Sequence, residues 1–184
     1  MRQVSMAQPQ AFVMPRDGSA AQEELGPDQD SPVPWSVVTD IFASGGWFWL
    51  STTSPDGAPH AVPVLAAWAD PVFYVASNDR TRKSRNLYEN GRCVLTKETP
   101  TLHLVVRALA RHSWDDATMT RASRAFAQIY QWTTRVGESE LEAYYGAPTS
   151  GGPPYQVFEI TPVTAFAFPT DAESTAPTKY DFTD

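Results

Sequence analysis

The sequence predicts a mainly β domain with flanking helices, its strands antiparallel and closed into a small barrel. Three observations lead there. About six apolar, β-branched or aromatic runs are joined by short turn signals, the mark of hairpins rather than crossovers. One run, TLHLVVRALAR, has a clear period of two, with Leu102, Leu104, Val106, Ala108 and Ala110 on one face. Helical spacing appears mainly before the first run, after the third and after the fifth, so the regular alternation of a doubly wound parallel sheet is missing. Antiparallel strands that must hide their edges commonly close into a barrel. One domain is the default for 184 residues, a length that buries a substantial core.

Residues 1–33 are rich in Pro, Gln, Asp, Ser and Ala. They bury too little apolar area to offset chain entropy, and we expect a flexible arm there. The barrel domain spans 34–170. It opens with a helix over Trp35 to Ser44, where Trp35, Val38, Ile41 and Phe42 share a face and Gly45-Gly46 stops the turn. WFWLSTT, APHAVPVLAAWAD and VFYVAS follow as a meander, joined at Pro55-Asp56-Gly57 and Asp70-Pro71. Pro59 and Pro63 restrict the middle strand to an edge, a bulge or positions whose missing N–H is not needed.

A short helix is expected over Ser84 to Asn90, stopped by Asn90-Gly91, and RCVLTKE is a fourth strand. TLHLVVRALAR is the fifth. In DDATMTRASRAFAQIYQW the period changes: Met119, Ala122, Phe126, Ile129 and Tyr130 fall on one helical face, with Asp115 and Asp116 at the positive end of the dipole. SELEAYYG reads as a shorter helix and PTSGGPP as a loop. YQVFEI and VTAFAF form a last strand or strand pair, broken at Pro162. Residues 171–184 look loop-like, with Tyr180 and Phe182 as anchors on the body.

Charge and motif content exclude several classes. The formal charge is -7, with 14 Lys and Arg against 21 Asp and Glu, which argues against nucleic-acid binding through a broad positive face. The single cysteine, Cys93, forms no internal disulfide framework and fits a buried strand residue in a reducing compartment. No secretory h-region and no membrane-length apolar run is visible, so a cytoplasmic protein is expected. His60, His103 and His112 lie on separate elements without metal-ligand spacing, so no metal site is expected. The α/β-hydrolase, Rossmann and P-loop motifs are absent.

Two segments carry the functional reading. Between Asn78 and Leu87, Arg80, Arg82, Lys83 and Arg85 crowd four positive charges into six residues at a strand end and helix start. Such a knot is either a solvated turn or the grip for a small anion such as phosphate, with Arg82 and Lys83 holding it and Ser77 or Asn78 adding polar contacts. The run Pro59 to Leu65 is either a plain edge strand or one whose unpaired backbone groups bond the edge of a flat heterocycle.

The succession FWLSTTSPDGAPHAVPVLAAWAD, VFYVAS and RTRKSRNLYENGRCVLT resembles the pyridoxamine 5'-phosphate oxidase-like split barrels, the flavin/deazaflavin oxidoreductase superfamily. The P-D-G turn, a P-h-x-x-P-V strand, a K-x-x-N-L helix start and an R-C-V strand occur in the family's order. The resemblance implies a six-stranded antiparallel split β-barrel, FMN-binding split-barrel type. It also implies a homodimer with the cofactor, FMN or coenzyme F-420, at the subunit interface. On this resemblance His60, Ala61, Val62, Pro63 and Val64 face the ring system, Ala76, Ser77 and Asn78 form the strand end beside it, and Arg82 and Lys83 take the phosphate. The implied activity is an oxidoreductase that transfers hydride between the cofactor and a small organic substrate. No catalytic side chain is singled out. The alternative is a non-catalytic flavin or haem carrier or sensor on the same barrel. Two departures narrow the reading. The chain ends APTKYDFTD in place of the vitamin-pathway oxidase's Arg/His substrate-phosphate motif, and TKYDF matches the T-R-W-R-F ending of deazaflavin relatives only loosely.

Overall fold

Six strands each turn an apolar face inward, and those faces close on one another. The computed structural model describes residues 8–14, 31–69, 71–146, 149–171 and 176–182. In chain order the elements begin with β1 (Gln10–Val13), α1 (Trp35–Ala43), β2 (Trp47–Thr53), β3 (Pro59–Ala69), β4 (Val72–Ser77) and α2 (Arg82–Glu89). They continue with β5 (Arg92–Glu98), β6 (Leu102–Ser113), α3 (Asp116–Tyr130), β7 (Arg135–Val136), β8 (Leu141–Glu142), β9 (Gln156–Pro169) and β10 (Thr178–Asp181). The barrel runs β9-β4-β3-β2-β5-β6, and β6 pairs back onto β9 to close it. All of its pairings are antiparallel.

Two strands divide their partners, and this splits the barrel. β9 pairs with β4 through Gln156–Ile160 and with β10 through Thr164–Ala167. β3 pairs with β2 from Pro59 to Leu65, but with β4 only from Ala66 to Ala69. The first half of β3 therefore has an open edge, as its two prolines require.

Phe48, Leu50, Phe73, Leu95, Leu104 and Ile160 fill the barrel interior. Helix α1 closes over it, with Phe42 edge-on to Phe73 at 4.8 Å between centroids. Positive φ at Gly45 (+68°) and Gly46 (+81°) reverses the chain from α1 into β2, as the sequence anticipates. Helix α3 lays Met119, Ala122 and Phe126 against the outer side of the barrel at Tyr74 and Val157, forming a second cluster. Its start is capped by Asp115, whose carboxylate accepts the Thr118 N–H at 2.9 Å.

Four expectations change. SELEAYYG is not a helix: Leu141–Glu142 is a strand paired with Arg135–Val136, and Leu141 exchanges both backbone hydrogen bonds with Tyr155 at 2.8 Å. β9 is not broken at Pro162 but continuous, absorbing the irregularity as a register shift opposite Arg107 and Ala108. Of the arm expected over residues 1–33, Gln10–Val13 forms a strand on β10 and Val33 joins the core, while residues 1–7 and 15–30 lie outside the described residues. The closing segment is itself strand β10. Tyr180 is fully buried, its hydroxyl donating to the Val33 carbonyl, and Phe182 packs edge-on to Trp35 at 5.2 Å. Among the described residues no helix is long and apolar enough to cross a membrane, and no three His, Cys, Asp or Glu side chains gather as a metal-binding group.

Candidate functional site

The strand end after β4 and the first turn of α2 are welded together by short polar side chains. Thr81 is the N-cap, its Oγ1 accepting the Ser84 N–H at 3.3 Å, and Ser77 Oγ lies 2.8 Å from the same oxygen. Ser84 Oγ donates to the Asn78 carbonyl at 2.8 Å, and Asn78 Oδ1 accepts the Arg80 N–H at 2.9 Å. Further along α2, buried Asn86 donates to Thr52 Oγ1 at 2.9 Å and fixes the helix to β2. The basic residues are thus carried on a rigid support.

Helix α2 begins with Arg82 and Lys83, follows Arg80 and has no acidic residue in its first turn. Cations at the positive end of a helix dipole repel it, so an anion is the favourable neighbour there. The four charges differ in position. Arg80, Arg82 and Arg85 are exposed, whereas Lys83 is 2% exposed, and burial pushes its amine down to about 8. His60, at the start of β3, is held below its usual range by burial and then by the charges of Arg82 and Lys83. Asp56, in the P-D-G turn, is lowered mainly by the Ser54 hydroxyl at 2.5 Å and the Ala58 N–H at 3.1 Å, with a smaller contribution from Arg82. The structure therefore brings the start of β3, the turn before it and the start of α2 to one electropositive place.

β3 and β4 pair only as far as Ala66 and Val75, and the parting strands leave a groove between the open edge of β3 and the β4–α2 junction. Strand neighbours alternate sides, and a residue's N–H and C=O point the same way. The Pro63 carbonyl accepts from Thr149 Oγ1, away from β2, so the backbone groups of Ala61 face the same open side. The missing N–H of Pro63 faces that side too. The ten residues singled out in the sequence do not all offer side chains here. Val64 is buried in the barrel core and Val62 packs against it. Ala76 sits in the second apolar cluster, and Ser77 is buried against Thr81. Pro63, Ala76, Asn78 and Lys83 are drawn together, and His60 stands within the field of Arg82 and Lys83.

What gathers those four is a segment the sequence marked only as a loop. Lys83 Nζ donates to the Thr149 carbonyl at 2.5 Å, Ser150 Oγ to the Ala76 carbonyl at 2.8 Å, and the Asn78 N–H to the Ser150 carbonyl at 2.8 Å. Asn78 Nδ2 reaches the Gly152 carbonyl at 3.0 Å. The Gly151-Gly152 pair signals a turn, but nothing local in PTSGGPP tells where the turn docks. A cleft of about 490 Å³ opens beside the P-D-G turn, lined by Asp56, Arg82, Arg85, Asn86 and Tyr88.

Closed barrel, divided strands and a basic helix start beside a free strand edge define a split-barrel protein. Residues 37–168 match the family model of pyridoxamine 5'-phosphate oxidase, and the chain belongs to that family. Solved structures share the fold. A conserved hypothetical protein from Mycobacterium tuberculosis aligns with a TM-score of 0.59 at 13% identity, over 87% of this chain and 91% of that one. A FAD-binding protein from Mesorhizobium loti gives 0.55 at 14% identity over 81% and 95%. General Stress Protein 26 from Bacillus anthracis gives 0.51 at 19% identity over 72% and 92%. No curated protein sequence matches this one significantly.

Proposed function

We propose that the chain binds FMN or coenzyme F-420 in the groove beside β3 and is an oxidoreductase that exchanges hydride with a small organic substrate. The observation that carries this reading is the pairing of Lys83 and Arg82, at an acid-free helix start, with the open edge of β3. A FAD-binding protein of the same fold supports a flavin-type occupant. The groove's donor set fits one: cations for phosphate, and strand-edge backbone groups for the rim of a heterocycle.

The hydride chemistry belongs to the coenzyme, and the protein supplies binding and orientation. Lys83 and Arg82 hold the phosphate, helped by the positive end of α2. Ala61 N–H and C=O and the Pro63 C=O meet the ring edge, while Asn78 closes the strand end. His60, whose imidazole is held below its usual range by burial and then by Arg82 and Lys83, borders the site. Cys93 takes no part: its thiol is buried and pushed up to about 12.

The subunit arrangement we propose is a homodimer, in the cytoplasm. Trp47 and Trp49 are 51% and 54% exposed on the outer face of β2, directly across from Leu65 and Pro63 of β3. A second copy covering that face would also border the groove.

Purified protein is expected to release FMN, identified by mass spectrometry, or to bind FMN or reduced F-420 in a fluorescence titration. A colourless preparation that binds neither defeats the reading. A non-catalytic carrier or sensor is the second reading, favoured by the hydrogen bonds that the chain already makes within its own groove. Bound coenzyme without turnover across a substrate panel would select it.

A further inference from the structure

The groups best suited to hold a ligand are engaged by the chain itself. Lys83 Nζ, the Pro63 carbonyl and both nitrogens of Asn78 bond to the segment Thr149–Gly152, and Ser150 adds a bond to Ala76. These are a cation, a strand-edge acceptor and two donors, the same set that a phosphate and a polar ring edge would use. The Thr149 carbonyl oxygen sits on the amine where a phosphate oxygen would sit, and the Thr149 hydroxyl on the edge where a ring donor would sit.

The segment is held by polar contacts and by the close approach of Gly151 to Asn78, where an added Cβ would come within 3.1 Å of the Asn78 Cβ. Thr149, Gly151 and Gly152 are exposed, and only Ser150 is buried. A Cβ at Gly152 would meet nothing within 4 Å. Thr149 adopts φ +63°, an uncommon conformation for a β-branched residue that the surrounding bonds must maintain.

We propose that Thr149–Gly152 is a built-in occupant of the groove, a strap that a ligand must displace, so that the chain sets its own affinity by competition. This rests on the groove being the coenzyme's seat. Displacement uncovers Lys83, Pro63 and Asn78 together, because one strap covers all three. Binding is then coupled to opening, and the observed dissociation constant is the intrinsic one divided by the open fraction.

The test compares wild type with Thr149→Val/Ser150→Ala, which removes the hydroxyl bonds to Pro63 and Ala76 while keeping the backbone. Each lost bond shifts the opening equilibrium by roughly fivefold. FMN and reduced F-420 are titrated by fluorescence. Lys83 is acetylated without ligand, with Lys179 as the internal reference in mass spectrometry. Thermal melting checks the fold, and Thr149→Val alone is used if the double variant melts early. Binding at least fivefold tighter in the variant supports the strap. Equal or weaker binding overturns it and leaves the coenzyme reading standing. If neither protein binds either coenzyme, the coenzyme reading fails and labelling decides alone: faster acetylation of Lys83 in the variant supports the strap, and equal rates overturn it.

Discussion

Lys83 shows how much a residue's place in the fold adds to its charge. Four cations in six residues were legible in the sequence, but only folding separates one from the rest. The first turn of α2 points Lys83 inward, and burial lowers its amine to about 8 while Arg80, Arg82 and Arg85 remain in solvent. A depressed lysine pKa carries a definite sign. Between about 8 and the ordinary 10.5 the unfolded chain binds a proton that the folded one does not, so this group's contribution to stability rises with pH across that window. Phosphate binding has the opposite slope, because it needs the ammonium form. Coenzyme affinity is therefore expected to hold below pH 8 and to fall toward tenfold per unit above it. A titration series from pH 6.5 to about 9.5 reads this slope. Lys83→Met should weaken binding at least tenfold at pH 7 and flatten the profile, with far less effect on folding. An unchanged affinity would remove Lys83 from the site.

The elements that the sequence delineated well are those whose pattern coincides with their burial. β6 alternates as written, and α3 presents Met119, Ala122 and Phe126 inward. The failure at SELEAYYG has a physical cause. Its residues suit a helix locally, but Leu141 finds reciprocal backbone bonds to Tyr155 and a buried seat beside Trp132, and tertiary pairing overrides weak propensity. Helix α2 has eight residues, too few to persist alone, so its cap matters more than in a long helix. Thr81→Ala removes the Ser84 N–H acceptor and is expected to cost about 0.5–2 kcal/mol in chemical denaturation. It should also weaken coenzyme binding, because Lys83 sits in the turn that Thr81 begins. Loss of stability with unchanged binding would separate the cap from the groove.

For the whole molecule, the open question at the surface is what covers Trp47 and Trp49. Two half-exposed tryptophans on one strand face are a large apolar area for a surface to leave in water, and they adjoin the edge strand of the groove. A homodimer is the expected result of light scattering on a sizing column. Trp47→Asp/Trp49→Asp should yield a monomer with coenzyme affinity reduced several-fold, while a wild type that is monomeric at all concentrations sinks the assignment. The six barrel strands, the tight turns, the proline restriction on β3 and the basic start of α2 are legible in the sequence, because period, proline and charge are local properties. That Gln10–Val13 and Thr178–Asp181 are strands emerges only on folding, since they pair with each other across almost the whole chain. The tertiary structure also decided that Lys83 is buried and that Thr149–Gly152 lies in the groove. Those facts rest on hydrogen bonds spanning 66 to 86 residues, which no local pattern encodes.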